Sequence, residues 1–208
     1  MQKKLFSFLL LFLFLFGCVE PQPEKKTGAP LDTAQEYYEE GRKLLSNNEL
    51  DAAMVKFKQS LEMSMASSFK AGTAMNLEMI GFTHMLKNES DKGLEYFLRS
   101  LTLYEKLDEK QKIAGILNTI GKIHADKGHF DRAIEFYNNS IKIDQEQKNH
   151  AGVGVTLNNI GRVFYEKKQY RNALKYYNKA LDILVLVGDS ERSRVVLQNI
   201  RLVESKLK

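Results

Sequence analysis

The chain has 208 residues, of which 43% are hydrophobic and 27% charged, an ordinary balance for a folded protein of one or two domains. The formal net charge of +5 includes Lys3 and Lys4, which sit in a segment of removable type; without them it falls to +3. The other basic residues alternate with acids and form no stripe, so nucleic acid is excluded as an expected partner.

In chain order, Lys3 and Lys4 precede an apolar run from Leu5 to Phe16 that only Ser7 interrupts. A membrane-crossing helix needs about 20 apolar residues, whereas an export signal uses about 7–15. Residues 1–17 are therefore expected to be a signal peptide. Leu15-Phe16-Gly17-Cys18 then places the single cysteine at the junction. This resembles the lipobox of bacterial lipoproteins. The resemblance implies that Cys18 is acylated, becomes the mature N-terminus and tethers the protein to a membrane without spanning it. Each buried CH₂ of such a chain contributes about 0.8 kcal/mol of membrane affinity. Val19 replaces the aspartate that in this family marks inner-membrane retention, so the resemblance points to the outer membrane of a bacterial envelope. Residues 18–31 hold all three prolines with Lys25, Lys26 and Gly28, and read as a semi-extended tether.

From residue 32 onward the composition becomes periodic. Glycine recurs at Gly41, Gly81, Gly121 and Gly161, a small residue at Ala53, Gly93, Ala133 and Ala173, and an aromatic at Phe57, Phe97, Tyr137 and Tyr177. An aliphatic follows at Leu61, Leu101, Ile141 and Leu181, and Leu117/Ile120 and Leu157/Ile160 precede their glycines. A step of 40 residues held in several columns marks a stack of like units, each burying its apolar face against the next. Within one unit Leu117, Ile120 and His124 follow the helical period, Gly128-His129 interrupts it, and Ala133, Ile134, Tyr137 and Ile141 resume it. Each unit is thus helix–turn–helix. Glycine is expected to allow close helix approach, with the aromatic filling the groove between units. Gly93 is expected to weaken its helix. Thr33-Ala34-Gln35-Glu36 reads as a capping box opening the first helix. Val196, Ile200 and Val203 form one stripe of a last, capping helix, and the run Ile183 to Val187 is expected to pack beneath it, with a dimer contact as the alternative.

The columns Leu117, Ile120-Gly121, Ala133, Tyr137 and Ser140, and again Leu157, Ile160-Gly161, Ala173, Tyr177 and Ala180, resemble the tetratricopeptide repeat signature. The 40-residue unit, with Thr156-Leu157-Asn158-Asn159-Ile160-Gly161, is most similar to repeats of kinesin light chains and bacterial peptide-sensing regulators. The resemblance implies an all-α, right-handed solenoid over 32–208. Its repeats would be 34–73, 74–113, 114–153 and 154–193, followed by a cap at 194–208, nine helices in all. It also implies a concave face lined by first-helix residues. These are Tyr38, Arg42 and Leu45; then Met75, Glu78, Phe82 and Met85; Asn118, Lys122 and Ala125; Asn158, Arg162 and Tyr165; and Gln198 and Leu202.

Asn118 and Asn158 share a column, and in the related families such amides pair with a peptide backbone through their donors and acceptor. Met75, Phe82 and Met85 make the N-terminal half apolar and adaptable, while Lys122 and Arg162 suit an acidic or carboxylate end. A helix-packing role remains the competing reading for the asparagines and methionines. No catalytic constellation, metal-ligand set or cofactor motif stands out. His84 and His124 occupy an inter-helix packing column, and Gly152-Val153-Gly154 follows no strand and reads as a packing feature. The expected function is a lipid-anchored, non-enzymatic adaptor that binds a protein segment in its groove during envelope assembly. The second reading is a peptide- or ligand-sensing module that changes conformation on binding.

Overall fold

The computed structural model describes residues 29–208, so the export signal, Cys18 and residues 19–28 lie outside the described residues. Within them there are nine α-helices and no strand. They are α1 (Ala29–Ser46), α2 (Leu50–Ala66), α3 (Lys70–Leu86), α4 (Ser90–Lys106), α5 (Lys110–Asp126), α6 (Phe130–Glu146), α7 (His150–Glu166), α8 (Tyr170–Leu186) and α9 (Ser190–Leu207). The all-α repeat architecture expected from the 40-residue step is present.

That step divides into two equal halves. The turns each centre on a residue in the left-handed region, at Asn48, Ser68, Asn88, Asp108, Gly128, Lys148, Lys168 and Gly188. In the first turn the Asn48 N–H donates to the Leu45 carbonyl at 3.0 Å and the Glu49 N–H to that of Leu44 at 2.9 Å. This closure satisfies the last helical carbonyls, and it recurs where His129 donates to His124 and Asp189 to Leu184. Only two of these residues are glycine, which is why sequence reading registers the break at Gly128 and passes over the one at Lys168.

The helix pairs begin four residues earlier than the repeat frame read from the columns, at Lys70, Lys110, His150 and Ser190. The columns mark buried helix middles, and the first turns carry little apolar signal. For the same reason Thr33 is not an N-cap: α1 already starts at Ala29, with Pro30 in its first turn, where no helical N–H is lost.

The glycine column works inside each repeat. A Cβ at Gly121 would lie 2.7 Å from Tyr137 Cδ1, one at Gly161 2.6 Å from Tyr177 Cδ1, and one at Gly41 2.7 Å from Phe57 Cε1. The ring therefore rests on the bare backbone of its own repeat's first helix, instead of serving only as filler between units. Serines lock the same hairpins: Ser60, Ser100 and Ser140 donate to the carbonyls of Ala34, Ala74 and Ala114 at 2.7–2.9 Å. In the last repeat Ala180 replaces the serine and Leu184 packs against Gly154. Gly93 has a local reason as well, because a Cβ there would lie 3.0 Å from the Gly81 carbonyl oxygen and 3.2 Å from the Met85 side chain.

Between repeats, Lys87 pairs with Asp51, Lys127 with Asp91, and Lys167 with Asp131 at 3.2 Å, each across 36 residues. These exposed pairs add little stability, but they repeat the register along one edge. The run Ile183 to Val187 departs from expectation. Leu184 is buried under the cap, while Val185 and Leu186 are 62% and 83% exposed, because they lie on the outer turn of α8, where the second repeat carries Glu105 and Lys106 and the third Gln145 and Glu146.

Two alanine substitutions in α5 should have opposite effects. Gly115 is exposed and has nothing within 4 Å of a Cβ, so Gly115→Ala should gain about 1 kcal/mol of helix propensity. Gly121→Ala meets a fully buried ring and should lose about 1–3 kcal/mol. Thermal unfolding followed by circular dichroism should show a higher Tm for the first and a lower one for the second.

Candidate functional site

The odd-numbered helices form the inner layer. Each packs on the even helix before and after it, and α1 with α3, α5 with α7 and α7 with α9 also touch directly; no two even helices do so to a comparable extent. The first helices of the repeats therefore make up one layer of the stack and the second helices the other.

In the first-helix layer the asparagines form an inter-repeat ladder. Asn118 accepts from Asn159 Nδ2 at 2.8 Å and donates to Thr156 Oγ1 at 2.8 Å. Asn158 accepts from Asn199 Nδ2 at 2.9 Å. Asn118 is thus largely committed to packing, while Asn158 has one such bond and lines an open cleft. Glu78 accepts from Tyr104 Oη at 2.8 Å and pairs with Lys112 at 3.5 Å. Burial and that carboxylate push the Tyr104 phenol up, so it stays a donor. Arg162 is held by Asp126 at 2.9 Å, and Lys122, Phe82 and Gln198 are exposed. Met75 and Met85 are half-buried against the core, and Tyr165 packs against Tyr170 with ring centroids 5.6 Å apart. Phe82, Lys122 and Gln198 are thus exposed, Met85, Asn118, Arg162 and Tyr165 are engaged with neighbouring helices, and half-buried Asn158 both accepts from α9 and borders a cleft.

The floor of the groove comes from a column that sequence reading passed over, near the C-terminal ends of the second helices: Ser64, Tyr104, Asp144 and Leu184, all buried. Its signal is variety. The buried columns before it, Phe57, Phe97, Tyr137 and Tyr177 and then Ser60, Ser100, Ser140 and Ala180, keep like residues, and this one changes chemistry at each step. Tyr104, bound to Glu78, fills the floor of the second repeat. In the third, Asp144 borders a cleft of about 290 Å³ with Gly115, Asn118, Asn149 and Val155. In the fourth, Leu184 borders an apolar cleft of about 180 Å³ with Val155, Asn158 and Val195. Val155 and Arg192 belong to both clefts, so the two adjoin. A larger cleft of about 350 Å³ lies at the other ends of α5 and α7, around Ala125, Gly128 and Phe130, away from this floor.

His84 stacks on Tyr96 and bonds to Glu89 at 2.6 Å, while His124 is buried and stacks on Phe136, so both serve packing. Burial and the neighbouring His129 hold the His124 pKa below its ordinary value. Gly152 admits the Asp144 carboxylate and Gly154 admits Leu184, which gives that glycine pair its packing reason. Among the described residues no group of three or more His, Cys, Asp or Glu is placed to hold a metal, and no helix is long and apolar enough to cross a membrane.

A stack of helical hairpins with an open inner face defines a helical-repeat solenoid. The family model for the tetratricopeptide repeat matches residues 71–146 and again 112–184. The chain belongs to the tetratricopeptide repeat family. No curated protein matches it by sequence. Among solved structures it is similar to aspartyl phosphate phosphatase F from Bacillus subtilis (TM-score 0.76, 13% identity, 85% of this chain and 45% of that one). It is also similar to a Rap protein complexed with competence and sporulation factor (TM-score 0.72, 14% identity, 84% of this chain and 49% of that one). A third is a kinesin-light-chain-like repeat protein from Podosopora anserina (TM-score 0.61, 10% identity, 84% of this chain and 96% of that one). The chain spans less than half the length of the first two.

Asp144 gives the site a measurable signature. Burial raises its pKa above the ordinary 3.8, opposed only by the bond from Asn149. The folded carboxyl then keeps its proton to higher pH than the unfolded one. Stability from this group is full below 3.8 and is lost as pH rises through the raised value. Asp144→Asn should therefore raise the Tm at pH 7, and the difference from wild type should close in melts below pH 3.8.

Proposed function

We propose that the protein is a lipid-anchored adaptor that captures a segment of a partner protein along the inner face of α5, α7 and α9, in the service of envelope-complex assembly. The observation that carries this reading is the pair of adjoining clefts under Val155, one polar and one apolar. In the first repeat the same column, at Ser64, borders only a small cleft of about 60 Å³, and in the second Tyr104 fills its place. Two side-chain subsites of different chemistry in succession suit an extended peptide, with Asn158 beside them as an amide for its backbone. The Rap relative solved with competence and sporulation factor supports a peptide as the kind of ligand such a solenoid takes. Anchoring rests on the Leu15-Phe16-Gly17-Cys18 motif, with Val19 favouring the outer membrane. In this reading the role is binding, and His84 and His124 serve packing.

Photo-crosslinking in native cells tests this directly. A benzophenone side chain at Gln198 or Asn158, both on the inner face, should yield a discrete crosslinked partner, whereas one at the exposed Lys175 of α8 should yield none. Cys18→Ser should move the protein out of the membrane fraction. Equal adducts from inner and outer positions would sink the groove, and an unchanged membrane fraction would sink the anchor.

A further inference from the structure

We propose that the cleft at Asp144 is a subsite for a cationic side chain, a lysine ammonium or an arginine guanidinium, and that the apolar cleft at Leu184 receives an aliphatic neighbour from the same segment. This rests on the groove reading above and assigns the chemistry of its ligand. It differs from the acidic ligand expected from Lys122 and Arg162, of which Arg162 is paired with Asp126 and Lys122 is exposed.

The first observation is an uncompensated charge. Asp144 is 4% exposed, forms none of the ion pairs, and takes a single side-chain hydrogen bond, from Asn149 Nδ2 to Oδ1 at 2.8 Å. Its other oxygen lies over Gly152, where a Cβ would come within 2.4 Å of it. A carboxylate buried without a cation is costly, and such charges are normally paired or hydrogen-bonded on both oxygens. The nearby groups leave it unpaired. Arg192, on the cleft wall, is bound to Asp189, and the Gly152 N–H at the start of α7 is taken by Asn149 Oδ1 at 3.1 Å. Asp144 also sits in the last turn of α6, which holds no basic residue, so the negative end of that helix adds to the carboxylate. The cleft thus holds a buried carboxylate that forms no ion pair among the described residues, with Arg192 on its wall already bound to Asp189.

The second observation is room for an approaching chain. Gly115 stands in the middle of α5, exposed, on the wall of the same cleft, and no atom of the protein lies where its Cβ would be. Glycine inside an exposed helix lowers stability, and here no packing contact requires it. Its absent side chain leaves the entrance to Asp144 open. The corresponding inner positions, Met75, Val155 and Val195, all carry bulk. The Leu184 cleft lies on the other side of Val155, so one segment can present a basic and an aliphatic side chain to successive repeats.

The test is selection from a displayed library of random dodecapeptides against the full chain in detergent micelles. The expected pool is enriched in a lysine or arginine near an aliphatic residue, and its best members bind at least about tenfold more weakly to Asp144→Asn, a difference of about 1.4 kcal/mol. Gly115→Leu, which fills the entrance and leaves the carboxylate in place, should weaken them similarly. Both variants must keep the wild-type helical spectrum, and Asp144→Asn should melt higher, so lost binding is not lost folding. A pool that binds the inner face without basic residues, or binds Asp144→Asn as tightly as wild type, overturns the cation subsite and leaves the groove standing. A selection that enriches no peptide overturns both.

Discussion

The ring of Tyr137 resting on the bare Cα of Gly121 sets how closely α5 and α6 approach, and the rest of the array inherits that distance. The same contact recurs at Gly41 with Phe57 and at Gly161 with Tyr177, so successive hairpins are near-copies. Equal hairpins stack into a regular solenoid only if their turns are also equal. The left-handed residue every 20 positions supplies that equality, even at lysines, where the conformation is disfavoured by about 1–2 kcal/mol. Regularity is therefore imposed twice, by packing across the helices and by backbone geometry at their ends.

A scaffold held by a few constant columns leaves other columns free to vary, and the inner floor is one of them. Ser64, Tyr104, Asp144 and Leu184 occupy equivalent places with unrelated chemistry. Tyr104 fills its place and bonds to Glu78, whereas Asp144 and Leu184 border open clefts. Two features of the third repeat, the uncompensated Asp144 and the vacant surface at Gly115, each lower the stability of the free protein. Local losses of this kind gather where a surface is shaped for something other than folding. The family membership fixes the fold, and these residues distinguish this member's groove.

Much of the fold was legible in the sequence because glycine, alanine and aromatic residues have few other reasons to recur at one interval. The columns gave the helix pairing, yet placed the helix starts four residues late, since first turns such as Lys110-Gln111-Lys112 are solvated and carry no apolar beat. The candidate site was less legible. Asn118 and Arg162 were assigned by column, and a column cannot show that Asn159 and Asp126 already engage them. Met85 looked like groove lining until its partner, Gly93, gave it a packing task. Asp144 was missed because it belongs to a second helix, and periodicity reports what repeats and stays silent on what changes.

If the groove binds as proposed, another protein covers the inner face at Val195 in the cell. Thiol alkylation of Val195→Cys in native envelopes, compared with the same variant purified, reads occupancy without knowing the occupant. Val195 is nearly half exposed in the free protein, so the purified variant should label quickly. Labelling in envelopes should be several-fold slower, while Lys175→Cys, on the outer layer, should label at one rate in both. Equal rates for Val195→Cys in envelopes and in the purified protein would contradict the account.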